Sequence, residues 1–371
     1  MEWRIIGGDS MNDRERFVAC LLGEPVDRPP YWLSWGPWAT TWQRWEREGK
    51  PAAVMDHRMA FDPDQAPHEV PVNLGPCPRI ERTVLAEDAD YVVFTDSWGI
   101  KRRDFKHSES MSEFLDFPVK NRQDWLRFKQ QWLDPDDPRR LDGDWRGVCA
   151  GWSAKGWPIQ LGYYPDAGVF GPFRWLMGDE EGLVAFHTMP DLVHEIMDHI
   201  TSLYLTVFEQ VVKEVRVDVI HLWEDMCYKG GPLISPKFWN EFLGPNYRRI
   251  KAFANQHNIP LISVDTDGNP DRITPAMINT GVNYLFPIEV AAGCDVNAWQ
   301  VRYPTLGMMG GIDKRALALG PAAIDAELAR IRPAVERGRY IPDLDHLIPD
   351  NVSWENYCYY ATALKKLVGK M

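Results

Sequence analysis

The sequence predicts a single (β/α)8 TIM barrel with an amino-terminal extension and loop insertions, on three observations. Short runs rich in branched and aromatic residues recur at the spacing of one helix plus one strand, most clearly at 217–223, 259–265, 282–288 and 305–312. The segments between them have helical character. Polar residues stand where each run stops, and in a closed parallel barrel those positions meet at one face.

Taken in order, residues 1–10 read as a loose leader, and a helix begins at Met11. Asn12 or Asp13 can cap it, Phe17, Cys20, Leu21 and Leu22 follow on its face, and Gly23 and Pro25 stop it. Asp27-Arg28-Pro29-Pro30 breaks the chain into a first strand at 31–35. A helix is expected over 42–48. Residues 50–85, with Pro63, Pro67, Pro71 and Pro76, read as an insertion that covers the mouth. A second strand is expected at 91–95, ending in Asp96, and 108–145 as helices and loop on the outside. A third strand at 157–164 runs through a loop into a helix start near Arg174. An amphipathic helix follows over 190–215, with Val193, Ile196, Met197, Ile200, Leu203 and Phe208 on one side. Helices at 240–255, 275–279 and 321–337 separate the later strands, the last of which is at 338–342. Residues 1–371 thus form one domain of eight strands.

The balance of 53 acidic against 41 basic residues, a formal charge of −12, gives nucleic acid or an anionic membrane surface the wrong sign of attraction. The six cysteines are scattered, with no CxxC pair and no signal peptide ahead of them, so reduced thiols in a cytoplasm are expected. No apolar run reaches transmembrane length. Three of the 17 tryptophans fall within seven residues, Trp32, Trp35 and Trp38, beside Gly36 and Pro37. Such a group is hard to bury in one strand, so Trp35 and Trp38 are candidates for the lining of a ligand cavity.

The most informative stretch is 259–269. Its apolar run delivers Asp265 and Asp267, two residues apart and so on one face, followed by the turn at Gly268. Like charges at a strand end need a cation, a shared proton or open water. The bland alternative is that Asp265 caps the turn and Asp267 is solvated. Glu224 and Asp225 end the 217–223 run, Glu289 follows 282–288, Asp313 and Lys314 follow 305–312, and Asp345-His346 follow the last strand. His221, inside its strand, reads as a satisfied core histidine, Cys227 as a loop thiol, and Asp313 with Lys314 equally as a surface pair. Tyr163, Tyr164 and Arg174, with Asp225 and Asp313, are candidates for holding the polar end of a substrate.

Met11-Asn12-Asp13-Arg14-Glu15-Arg16-Phe17 and Gly23-Glu24-Pro25-Val26-Asp27-Arg28-Pro29-Pro30 resemble the opening of uroporphyrinogen decarboxylase and its relatives. Gly310-Gly311-Ile312-Asp313-Lys314, Gly338-Arg339-Tyr340-Ile341-Pro342, and Asp345-His346 with Pro349 and Glu355-Asn356 resemble that superfamily's closing strands. The superfamily implies a (β/α)8 barrel shared by the decarboxylase, the corrinoid-dependent methyltransferases and, more distantly, cobalamin-independent methionine synthase. The decarboxylase carries an arginine-rich segment after its first strand to hold the propionates of its tetrapyrrole. Here that stretch is Ser34-Trp35-Gly36-Pro37-Trp38, with no arginine.

The methyltransferase branch implies zinc, and the resemblance sets Asp265, Asp267, Glu289 and His346 at the corresponding ligand positions. Oxygen and nitrogen donors of this kind can hold zinc or another divalent metal. The rival is a metal-free acid/base site in which close carboxylates share a proton beside His346. The leading expectation is a methyltransferase acting on a small methylated substrate with a corrinoid or thiol acceptor, Asp267 and His346 serving catalysis with Glu224. Its partners would be the small molecule, a corrinoid-carrying protein and, in a homodimer, a second copy. The alternatives are a decarboxylase of another acid, needing no cofactor, with Asp96 or Asp267 stabilising a protonated ring, and a non-catalytic corrinoid- or tetrapyrrole-binding barrel.

Overall fold

The computed structural model describes residues 10–107 and 111–371. The expected leader therefore lies, but for Ser10, outside the described residues. Seven parallel strands form one sheet in chain order: His68–Glu69, Ile159–Leu161, Val219–Trp223, Leu261–Asp265, Tyr284–Ile288, Gly307–Ile312 and Tyr340–Leu344. The sheet is an open, curled half-barrel with helices on its outer face, the distorted form of the expected (β/α) barrel. The gap between its edge strands is spanned by residues 31–38, which form no ladder of their own. Ser34 N donates to Asp343 Oδ2 at 2.8 Å and Pro37 bridges Ile348 on one side, while Asp64 N donates to Tyr31 O on the other.

Two expected strands are corrected. Residues 31–35 are extended but unladdered, flanked by Pro29 and Pro30 before and Pro37 after, which have no backbone N–H to offer a neighbouring strand. Tyr91–Thr95 belongs instead to a separate antiparallel sheet with Thr83–Glu87, Lys101–Phe105 and Glu113–Asp116. Its place in the main sheet is taken by His68–Glu69, inside the proline-rich stretch read as insertion. Periodicity favours Tyr91–Thr95, but short connections join it to Thr83–Glu87 and Lys101–Phe105, and these make antiparallel hairpins rather than crossovers.

The first helix, Asp13–Leu22, starts as the sequence requires: Asn12 Oδ1 accepts from Glu15 N at 2.9 Å and Glu15 Oε2 from Asn12 N at 3.1 Å. Its apolar face plugs the amino end of the sheet. Phe17 stacks on Trp32 at 5.4 Å and meets Tyr284 edge-on at 6.1 Å, among Cys20, Leu21, Val219, Leu261, Met309 and Ile341. Each such buried aliphatic or aromatic side chain contributes about 1.5–3 kcal/mol. The ion pair of Arg14 Nε with Asp218 Oδ1 at 2.7 Å fixes the helix from beneath. The plug closes the amino end of the sheet among the described residues, which leaves the carboxyl ends of the strands as the face for a ligand. The helices Pro190–Val212, Gly244–Gln256, Thr274–Asn279 and Pro321–Arg337 lie where expected, within a few residues.

Candidate active site

The parallel register decides which side chains enter the barrel. Gln160 is level with Glu69 and Val219, and Val219, in the plug, faces inward, so Glu69 and Gln160 do too. The next inward row is His221, Ser263 and Tyr284, and the row above it Trp223, Asp265 and Phe286. On the last strand Ile341 sits in the plug, which turns Asp343 inward by alternation. A polar layer therefore stands on an apolar floor.

Within this layer His221 Nδ1 lies 3.1 Å from Ser263 Oγ, its ring stacks on Phe286 at 5.3 Å, and its Nε2 is 4.0 Å from Asp265 Oδ2, too long for a hydrogen bond. Burial pushes the imidazole down to about 4, so it is neutral. Burial, and then the neighbouring Asp267 and Asp225, push Asp265 well above the usual carboxylate range. It therefore holds its proton more tightly than an exposed aspartate, and 18% of its side chain is reached by solvent. Asp343 is pushed up to about 6 by burial, against the backbone N–H groups of Ser34 and Leu344 that it accepts. Burial also raises Glu69.

The rim is built by loops that follow the strands. His346 Nε2 lies 3.4 Å from Asp267 Oδ2, and Trp35 stacks on the His346 ring at 4.7 Å. Asp267 is held by its neighbour: Gly268, at φ +77°, donates to Glu289 Oε2 at 2.8 Å, and Asn269 N donates to Tyr228 O at 3.1 Å. A Cβ on Gly268 would lie 2.6 Å from Tyr228 N, so only glycine fits. Lys314 Nζ stands 3.9 Å from Glu289 Oε1, and Asp345 accepts from Val290 N and Lys314 N. Asp225, at φ +41°, pairs with Arg174 Nη1 at 3.0 Å, and Arg174 also binds Asp179. Trp223 stacks on Trp175 at 5.0 Å and carries Tyr164 edge-on at 5.0 Å, a wall over which Arg102 of the antiparallel sheet lies.

Asp265, Asp267, Glu289 and His346 thus approach one mouth, but they do not form the expected ligand set. Glu289 is turned onto a backbone N–H, and Asp265 sits a layer below, beside His221. Among the described residues no group of three or more His, Cys, Asp or Glu side chains is arranged to hold a metal ion. Five other expected site residues have structural partners of their own. Glu224 is fully buried and accepts from Val169, Phe170 and Gly171 N–H and from Tyr247 Oη at 2.5 Å, anchoring the start of the Phe170–Met177 helix. Consecutive carboxylates do point opposite ways, and Asp225 is the one that faces the mouth.

Asp96 closes the hairpin turn, accepting from Trp98 and Ile100 N–H and pairing with Arg102 at 2.5 Å. Asp313 caps the Lys314–Ala318 helix and binds Arg315, which leaves Lys314 as the residue of that pair near the mouth. Tyr163 is engaged by Val72 O and Arg79. Trp38 opens the Ala39–Arg47 helix and is bonded to Ile348 O through its backbone. Sequence reasoning passed over Glu69, Ser263, Tyr284 and Asp343. Alternation from Ile341 would have exposed Asp343, whereas nothing local marks Glu69.

An inward polar layer above a sealed apolar floor, with acidic loops at the strand ends, defines a barrel-class protein whose chemistry sits at the carboxyl face. The Uroporphyrinogen decarboxylase (URO-D) family model matches residues 176–367, just over half of the chain, and the chain belongs to that family. No curated protein matches it. The family match corrects the leading expectation: it points to decarboxylase-type catalysis rather than to methyl transfer onto a corrinoid or thiol with zinc. Among the described residues no helix is long and apolar enough to cross a membrane.

Proposed function

We propose that the chain decarboxylates an acid substrate other than uroporphyrinogen. The observation that carries this reading is the placement of Asp265, an inward-facing acid 4.0 Å from the neutral His221, where burial and the nearby Asp267 and Asp225 make it hold its proton more tightly than usual. Loss of carbon dioxide breaks a C–C bond and leaves its electron pair on the substrate, so the site must supply an electron-poor neighbour and then a proton. Asp265 donates that proton to carbon, and solvent at the mouth returns it. A positioned acid of this kind contributes about 10²–10⁴-fold. A tetrapyrrole with many carboxylates finds no arginine cluster in 34–38, and Arg174 and Lys314 already have carboxylate neighbours.

The test is release of carbon dioxide from a panel of ring, β-keto and amino carboxylic acids, with Asp265→Asn alongside. The expected result is turnover of at least one acid and a fall of at least 100-fold in the variant, with its circular dichroism unchanged. Turnover that survives in Asp265→Asn would overturn the assignment of the proton.

A further inference from the structure

Asp265 has an aromatic ring on either side of it at its own level of the sheet. Trp223 and Phe286 are its register partners on the two adjacent strands, so the three side chains turn inward together from strands about 4.8 Å apart. Phe286 is half-buried and stacks on His221 at 5.3 Å and on Tyr284 at 5.4 Å. The rim above is aromatic as well. Tyr164, 57% exposed, stands edge-on to Trp223 at 5.0 Å, and His346, in the loop after the last strand, is stacked on Trp35 at 4.7 Å.

A separate observation concerns what a ring bound there would carry. The buried indole N–H of Trp35, itself a half-buried residue, has no acceptor among the described residues. An indole N–H can only donate, and a buried donor left alone is costly, so it suits an oxygen brought by the ligand.

We infer that the substrate is an aromatic acid with the carboxylate directly on its ring and a hydroxyl-type oxygen on the same ring. The inference rests on the decarboxylase reading for the fate of the carboxylate, but not for recognition of the ring. A planar ring gains stacked and edge-on contacts with these side chains that a saturated ring of equal size cannot make. The ring also serves the chemistry. The Asp265 proton adds to the carboxylated carbon, taking a pair of ring π electrons, and the ring oxygen shares the positive charge that results. The protonated ring is then the electron-poor neighbour that the reaction requires. The bond from ring carbon to carboxylate breaks, its electron pair restores the aromatic ring, carbon dioxide leaves, and solvent returns a proton to Asp265. Between these steps the faces of Trp223 and Phe286 attract the cationic ring.

Titration calorimetry of the full chain tests recognition with benzoate, the three monohydroxybenzoates and cyclohexanecarboxylate, which has similar size and the same charge but no π face. The aromatic acids are expected to bind about tenfold more tightly than cyclohexanecarboxylate, and Tyr164→Ala and Phe286→Leu each to cut that preference by about threefold. Tyr164 is exposed, so its variant does not challenge the fold. Trp35→Phe keeps a ring on His346 but removes the donor, and should weaken the tightest hydroxybenzoate by about threefold while leaving benzoate unchanged. Equal or tighter binding of cyclohexanecarboxylate, or a preference untouched in both the Tyr164 and Phe286 variants, would overturn the aromatic substrate. Hydroxybenzoate binding that Trp35→Phe leaves unchanged would overturn the ring oxygen. In turnover, 2,4-dihydroxybenzoate is expected to release carbon dioxide and benzoate is not. Carbon dioxide released only from non-aromatic acids would sink the ring and spare the decarboxylase. Ring binding with no release from any acid would do the reverse.

Discussion

His221 and Asp265 stand on adjacent strands, Nε2 and Oδ2 4.0 Å apart, and burial works against the charged form of each. The pair is not a salt bridge: burial disfavours both ions, and Asp267 and Asp225 add repulsion against ionising the acid. An acid that holds its proton tightly beside a neutral imidazole suits delivery of a proton to carbon.

Activity is therefore expected to fall on the alkaline side, as Asp265 loses its proton. Asp225→Asn and Asp267→Asn each remove a like charge from its surroundings, which also include His221, Tyr284 and Tyr164. Ionisation becomes easier, so the alkaline limb of kcat should move to lower pH, by roughly 0.5–1 unit. A limb that stays put in both variants would show that Asp265 is not the titrating acid.

Asp343 makes stability depend on pH in the opposite sense to a salt-bridged carboxylate. Its folded value of about 6 lies above that of the unfolded chain, so the unfolded state gives up its proton first and stability falls as pH rises from about 4 to 6. The size is of the order of 3 kcal/mol. Asp343→Asn should flatten this part of the profile, measured as Tm between pH 4 and 8, and an unchanged slope would contradict it.

Glu224→Ala should destabilise the protein by at least about 3 kcal/mol, because three backbone N–H groups and the Tyr247 hydroxyl lose their shared acceptor inside the core. Urea unfolding reads this directly. A loss of activity with stability intact would instead return Glu224 to the chemistry.

Gly268→Ala and Gly143→Ala separate backbone cost from site geometry. Both glycines have positive φ, +77° and +87°, but a Cβ at Gly143 meets nothing within 4 Å, whereas at Gly268 it strikes Tyr228. Each should lose about 1–3 kcal/mol in thermal unfolding. Only Gly268→Ala should also lose activity, by more than tenfold, since it displaces Asp267 and the Glu289 contact.

The corrected residues show where local reading stops. Asp96 and Asp313 look like site residues because each follows a strand-like run, yet one closes a hairpin and the other caps a helix. Both uses depend on which element the chain meets next, and runs of branched residues carry no such information. The expected grouping of ligands is set by distant contacts in the same way, since Glu289 accepts from Gly268 N–H, 21 residues away in the chain.

The sequence by itself determined the strands that end at Trp223, Asp265, Ile288 and Ile312, the capped first helix, and therefore the gathering of Asp225, Asp265, Asp267, Glu289 and His346 at one end. These follow from period and capping, which act over a few residues. Only the tertiary structure decided that His68–Glu69 enters the sheet, that Glu224 turns into the core, that Asp343 and Tyr284 face inward, and that Asp265 holds its proton more tightly than an exposed aspartate. Register, enclosure and the charge of distant neighbours set those outcomes, and each is a sum over surroundings that adjacent residues do not encode.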